Sequence, residues 1–109
     1  MDMGIKQFEI YFVDLDPTMG SEINKMRPCV IVSPNDINRV LNTVIVAPLT
    51  STIRNYPTRI NCTVEGKNGQ VAIDQLRAID KYRLKRKLAS LDNRTSFEVL
   101  DTIQDLFSY

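Results

Sequence analysis

Arg27, Thr50 and Ser51 are the residues of this chain whose types and settings best suit chemistry on a phosphate. Arg27 precedes Pro28 and the apolar run Cys29–Val32, so it falls on the first residue of a predicted strand. Thr50 and Ser51 close a second apolar run, 43–49. If those two strands share a sheet, the three side chains come near one another at a single loop-bearing edge. An arginine supplies fixed charge and forked donors, and the hydroxyls supply neutral donors. Such a set can stabilise a crowded, anionic phosphorus centre when the nucleophile belongs to the substrate, as the 2′-OH of RNA does. The same groups would also serve simple phosphate binding, and the residues alone leave both open.

Several other chemistries are excluded. The chain has no His among its 109 residues, which removes the usual acid–base pair of phosphodiester cleavage. It has no GxxxxGK[ST], no GxGxxG and no nucleophile elbow, so nucleotide hydrolysis, dinucleotide binding and serine esterase chemistry have no support. Asp14 and Asp16, an i, i+2 pair ahead of Pro17, suit turn chemistry better than a metal site. Cys29 and Cys62 lie in predicted strands without a CxxC spacing and read as small core hydrophobes rather than zinc ligands. No metal or other cofactor is expected.

The framework that must hold these groups reads as mainly β. Residues 8–13 make a first strand with Phe8, Ile10 and Phe12 on one face. A polar loop, 14–26, follows; Pro17, Asp16, Gly20, Asn24 and Lys25 suggest a turn, a hinge and a wet, mobile segment. The strand at 27–33 is apolar on both faces and should be central. Ser33-Pro34-Asn35-Asp36 reads as a helix start with Ser33 as cap, running to about Leu41. Strands are expected at 43–49 and 58–64, the latter with Ile60, Cys62 and Val64 inward, then a hairpin turn over 65–69 with Asn-Gly chemistry. A fifth strand, 70–74, and a short sixth, 76–79, lead into a basic connector, 81–88. Thr95-Ser96-Phe97-Glu98 reads as a capping box opening a helix of about 96–107, with Leu100, Ile103 and Phe107 inward. Five to seven short strands, one short helix and a C-terminal helix make a twisted antiparallel half-barrel within one domain, 1–109.

Charge is unevenly spread. The net is +1, but residues 17–94 hold 13 basic and 6 acidic side chains, while 1–16 and 95–109 each carry −3. A basic middle suits a polyanion surface. The start of the chain is acidic with no apolar leader after it, and no apolar run is long enough to span a bilayer, so the reading is a cytoplasmic protein with no membrane contact.

Asp-Leu-Asp-Pro-Thr-Met-Gly-Ser-Glu at 14–22, followed by Arg-Pro-Cys-Val-Ile-Val-Ser-Pro at 27–34, resembles the MazF/PemK (Kid) family of toxin endoribonucleases. Val-Ala-Pro-Leu-Thr-Ser (46–51), the Asp74-Gln75 pair and a helix near the C-terminus match as well, so the resemblance runs in order across nearly the whole chain. It implies an SH3-like, CcdB-like barrel with a C-terminal helix, usually a homodimer. It also implies the toxin of a type II toxin–antitoxin system: a metal-independent, sequence-specific ribonuclease of single-stranded RNA that inhibits translation and growth. A cognate antitoxin of the MazE/PemI type would hold it in check, and operator DNA would be reached only through the antitoxin complex. Position by position, Arg27 matches the family's catalytic arginine and Thr50 its catalytic threonine. Glu22 and Ser51 flank that site, and Asp74-Gln75 matches an Asp-Gln at the same groove. Kid-type members have His where this chain has Ser21, and Arg where it has Ala72, so those two roles are not carried over.

Two other classes share features with this reading. A gyrase poison of the CcdB type shares the fold, but the Arg-Pro and Leu-Thr-Ser elements favour the ribonuclease, and Leu106–Tyr109 lacks the Trp-Gly-Ile end such a poison would show. A non-catalytic nucleic-acid-binding barrel would keep the basic middle without needing Arg27 and Thr50 together. The RNA groove is expected to include Arg27, Arg54, Arg59 and Arg77, with Asp74-Gln75 at its floor and an acidic, partly disordered antitoxin segment along it.

Overall fold

A computed structural model describes residues 4–23 and 25–108. Asn24, read above as part of a wet loop, lies outside them. The sheet has seven strands, all paired antiparallel: β1 (Glu9–Asp14), β2 (Met26–Ile31), β3 (Thr43–Thr50), β4 (Arg59–Val64), β5 (Lys67–Ala72), β6 (Arg77–Asp80) and β7 (Leu84–Ser90). Helix α1 (Asn35–Val40) sits between β2 and β3, and α2 (Asn93–Leu106) follows β7. The spatial order is β4-β5-β3-β2-β1-β7, with β6 also on β3. This is the expected mainly-β half-barrel with a C-terminal helix.

β3 bends the sheet. Its first half pairs with β6 from Thr43↔Asp80 to Val46↔Arg77, and its end pairs with β5 through Leu49↔Val71 and Thr50↔Gln70. Ala47 and Pro48 lie where one partner stops and the next begins, a place where a missing backbone N–H costs nothing. Two apolar clusters flank β2, as its double-faced sequence requires. Val30 and Val32 pack with Ile10, Ile60, Val71 and Val99 under α2. Cys29 and Ile31 pack on the other side with Val13, Leu15, Val44 and Ile79. Both cysteines are buried free thiols, and burial pushes the Cys29 thiol up to about 12.

Four local expectations need correction. Ser33 does not cap α1: Pro34 takes that position, and Ser33 is buried, exchanging hydrogen bonds with the Asn38 side chain and accepting one from the Ile45 amide at 3.0 Å. The hairpin turn is Glu65-Gly66, both at positive φ (51° and 77°), and Asn68-Gly69 belongs to β5. That strand ends at Ala72, so Asp74 sits in a 3-10 turn, Ile73–Gln75. The basic connector is a short 3-10 turn followed by β7, a full strand along β1.

α2 starts earlier than its sequence suggested. Asp92 is the cap, its carboxylate accepting from the Thr95 amide at 3.2 Å and the Thr95 hydroxyl at 2.7 Å. The inward face is Thr95, Ser96, Val99 and Ile103, while Leu100 and Phe107 are exposed. The 14–26 loop is anchored rather than loose. Leu15 is fully buried, its carbonyl accepts from Arg77 at 3.1 Å, and Arg83 donates to the carbonyls of Asp14 and Asp16.

Candidate active site

The β2–β3 ladder runs from Ile31↔Val46 to Cys29↔Pro48. Continued two steps, that register sets Arg27 opposite Thr50, at the point where the paired region ends and the strands part. A cavity of about 350 Å³ opens there, and Arg27, Thr50 and Ser51 all line it. Thus the three residues singled out by type are brought together by strand register alone. Arg27 is half-buried at the mouth, Thr50 is 7% exposed, and Ser51 is exposed. The Thr50 Oγ1 accepts from the Thr52 amide at 3.1 Å, which turns the loop and orients the hydroxyl so that its proton remains available to a ligand.

Two residues behind Thr50 hold it in place. Gly69 crosses so close that a Cβ there would meet the Thr50 carbonyl oxygen at 2.7 Å. Gln70, 4% exposed and opposite Thr50, sends its amide into the following loop: it accepts from the Arg54 amide at 3.0 Å and donates to the Arg54 carbonyl at 3.2 Å. A buried side chain thereby replaces a missing ladder partner and stiffens the segment carrying Ser51.

The other candidate residues stand outside the cavity lining. Arg59 and Asp74 are committed to each other in a two-point ion pair, Nε–Oδ1 2.8 Å and Nη2–Oδ2 3.1 Å, with Thr58 donating to Asp74 at 2.9 Å. The Arg59 bonds hold the Asp74 carboxyl at about 2 and raise the Arg59 value further. The Arg59 guanidinium also lies over the Tyr56 ring, 5.1 Å from its centroid. Gln75 accepts from the Ile23 amide at 3.3 Å, and Glu22 accepts from the Met19 amide at 2.6 Å, so both shape the 14–26 loop. Asp14 and Asp16 do the same, accepting from the amides of Asp16 and Lys25 at 3.1 and 2.9 Å. Arg54 is exposed on the loop that Gln70 holds. Arg77, expected in the groove, is spent on the Leu15 carbonyl.

The cavity contains groups that the sequence did not single out. Phe12, Arg86, Lys67 and Glu65 also line it, together with the apolar Leu49, Cys62, Val64 and Leu88. A signal for Arg86 was present: Leu84, Arg86 and Leu88 alternate with Lys85 and Lys87, which is strand periodicity beneath a basic surface. The arrangement offers fixed positive charge and neutral donors around a half-open, partly apolar space, which suits an anionic ligand carrying flat apolar groups.

Residues 6–107 match the family described as PemK-like, MazF-like toxin of type II toxin-antitoxin system. The chain is 35% identical to endoribonuclease EndoA of Bacillus subtilis, over 94% of this chain and 93% of that one. Its fold is similar to the crystal structure of MazF (form I) from Deinococcus radiodurans, with a TM-score of 0.85, 25% identity and coverage of 96% and 97% of the two chains. A MazE–MazF structure from the same organism is also similar in fold, with a TM-score of 0.79 and 21% identity over 98% of each chain. The chain belongs to the PemK-like, MazF-like toxin family of type II toxin–antitoxin systems.

Proposed function

We propose that residues 1–109 form one toxin domain, acting in the cytoplasm as a metal-independent, sequence-specific endoribonuclease on single-stranded RNA. The observation that carries this reading is the meeting of Arg27 and Thr50 in one cavity at the parted ends of β2 and β3. Arg27 takes the negative charge of the scissile phosphate, and Thr50 donates its hydroxyl to an oxygen of the same group, with Ser51 beside it. The RNA 2′-OH gives its proton to solvent as its oxygen attacks phosphorus. The bond from phosphorus to the 5′-oxygen breaks, and the leaving oxygen takes a proton from solvent, so the products carry a 2′,3′-cyclic phosphate and a 5′-OH. Stabilising the crowded anionic centre is the protein's main contribution. Side-chain proton carriers play little part here: the chain lacks His, and the Asp74 carboxylate, made weakly basic by its pair with Arg59, stands outside the cavity. Asp14 and Asp16 shape the loop, and the attacking group comes with the substrate, so no metal is needed. Glu22 and Gln75 act by fixing the 14–26 loop next to Arg27, while Arg54 reaches the strand outside the cavity. The Arg59–Asp74 pair stiffens the open end of the β4–β5 hairpin.

The working form is a homodimer, restrained by an acidic antitoxin of the MazE/PemI type, with operator DNA reached only through that complex. Among the described residues no helix is long and apolar enough to cross a membrane. The test is incubation of purified protein with mixed-sequence single-stranded RNA in excess EDTA. Cutting should persist, leave the ends named above, and stop when a deoxynucleotide replaces the one supplying the 2′-OH. Activity lost in EDTA would sink metal independence, and intact RNA in every buffer would turn attention to a protein target.

A further inference from the structure

The β1–β7 ladder breaks register twice, between Ile10 and Tyr11 and again between Phe12 and Val13. The pair Phe12↔Arg86 lies between the two irregularities. Bulges raise local twist and re-aim side chains, and they gather at barrel rims and beside active sites. Here they turn Arg86, an exposed residue of an edge strand, toward the cavity that holds Arg27 and Thr50. Its guanidinium rests over the Phe12 ring, 5.7 Å from the centroid. Ring contact of this kind orients a guanidinium without neutralising it. Among the described residues Arg86 enters no ion pair, whereas the neighbouring Lys87 is bound to Glu9 at 2.9 Å.

Phe12 also pairs with Pro28, the residue after Arg27. Pro28, Phe12 and Arg86 therefore form a cross-strand row; Arg27, next to Pro28, starts from the other face of the pleat near the strand end and stands about 10 Å from Arg86 between backbones. Two long side chains reaching into one cavity from that separation can hold two neighbouring anions, but not the same one from the same side. Lys67 and Glu65 also line the cavity with opposite charges, and of its cations besides Arg27 it is Arg86 that a ring contact orients.

We propose that Arg86, held over Phe12, is a second phosphate-binding residue of this cavity, gripping the phosphodiester next to the one at Arg27. The inference rests on the endoribonuclease reading and adds to it a requirement for two successive charged linkages of one strand. It gives the site a direction along the strand that a single arginine could not supply.

The experiment measures binding of a mixed-sequence 2′-O-methyl RNA, which cannot be cut by 2′-OH attack, across a salt series. Arg86→Ala should weaken binding about tenfold at low salt, as loss of one charge-assisted contact does. It should also flatten the slope of log K against log salt by about 0.7, the share of one phosphate contact on a single strand. Arg86→Gln, which keeps a stem over Phe12, should behave the same way, and Arg86→Lys should restore the slope. A short RNA bearing the mapped cut site and a neutral methylphosphonate at the adjacent linkage should be cut more slowly by the unaltered protein, with no further loss in Arg86→Ala. An unchanged slope, or a methylphosphonate effect equal in both proteins, would overturn the role of Arg86 while leaving cleavage in place. If the unaltered protein neither binds nor cuts RNA, the endoribonuclease reading falls, and this inference with it.

Discussion

Gly69 backs directly onto Thr50: the position of a Cβ on Gly69 lies 2.7 Å from the Thr50 carbonyl oxygen. Two backbones cannot stay that close with a methyl group between them, so Gly69→Ala must push Thr50 or the β5 edge aside. A displacement of this order at a positioned donor costs up to about 10²-fold in rate. Gly69→Ala should therefore lower kcat by about 10–100-fold with a smaller change in KM. Single-turnover cleavage alongside a thermal melt separates the two effects; a folded variant of full activity would show that Thr50 tolerates the shift.

Arg27→Ala should reduce cleavage by about 10²–10³-fold or more, the usual cost of one preorganised stabilising donor. Thr50→Val, which keeps shape and removes the hydroxyl, should cost a similar factor. Arg27→Ala should change the melting temperature little, since Arg27 is half-buried near the start of β2, whereas Thr50→Val also removes the acceptor of the Thr52 amide and should lower it modestly. Circular dichroism with cleavage assays checks both. Unfolding of Arg27→Ala would make that arginine structural.

Asp74 predicts an acid limb for stability. Its carboxyl is held at about 2 by Arg59, below its ordinary 3.8, so the folded state favours the ionised form. Stability from this pair is fully present above about pH 4 and is lost as pH falls from 4 toward 2. Discounted for partial exposure, Asp74→Asn should cost about 1–2 kcal/mol at pH 7 and remove most of that acid limb. Urea unfolding at pH 7 and pH 3 measures it, and equal losses at both pH values would break the link to Arg59.

RNA and an acidic antitoxin segment should compete for the basic cavity and weaken together as salt rises. Binding of an uncleavable RNA, measured with and without saturating antitoxin, tests this. Unchanged affinity would mean that inhibition works from a distance.

Much of this architecture was legible because short-range rules governed it. β2 announces itself by apolar residues on both faces, and Arg27, Thr50 and Ser51 could be paired by assuming that β2 and β3 are neighbours. Where long-range contacts decide, the sequence was silent or misleading. β7 was hidden because its outer surface is basic and because an arginine, Arg86, stands among the alternating leucines Leu84 and Leu88. The 14–26 loop looked mobile because its anchors, Arg77, Arg83 and Gln75, are far along the chain. The pairing of Arg59 with Asp74 was hidden because nothing local reveals that each is the other's partner. In α2, Asp92 outcompeted Thr95 as cap, which shifted the inward stripe onto Val99 and left Leu100 outside.

The anchoring of the 14–26 loop has a consequence for how the chain is born. Arg27 and Thr50 leave the ribosome early, but the arginines that fasten the loop, and the strand that carries Arg86 and Leu88, come from residues 77–90. Synthesis proceeds from the N-terminus, and folding follows what has emerged. A nascent chain stopped before that stretch holds both proposed catalytic side chains and no frame to aim them. On the proposed reading, cutting competence thus waits until residues 77–90 have emerged and paired.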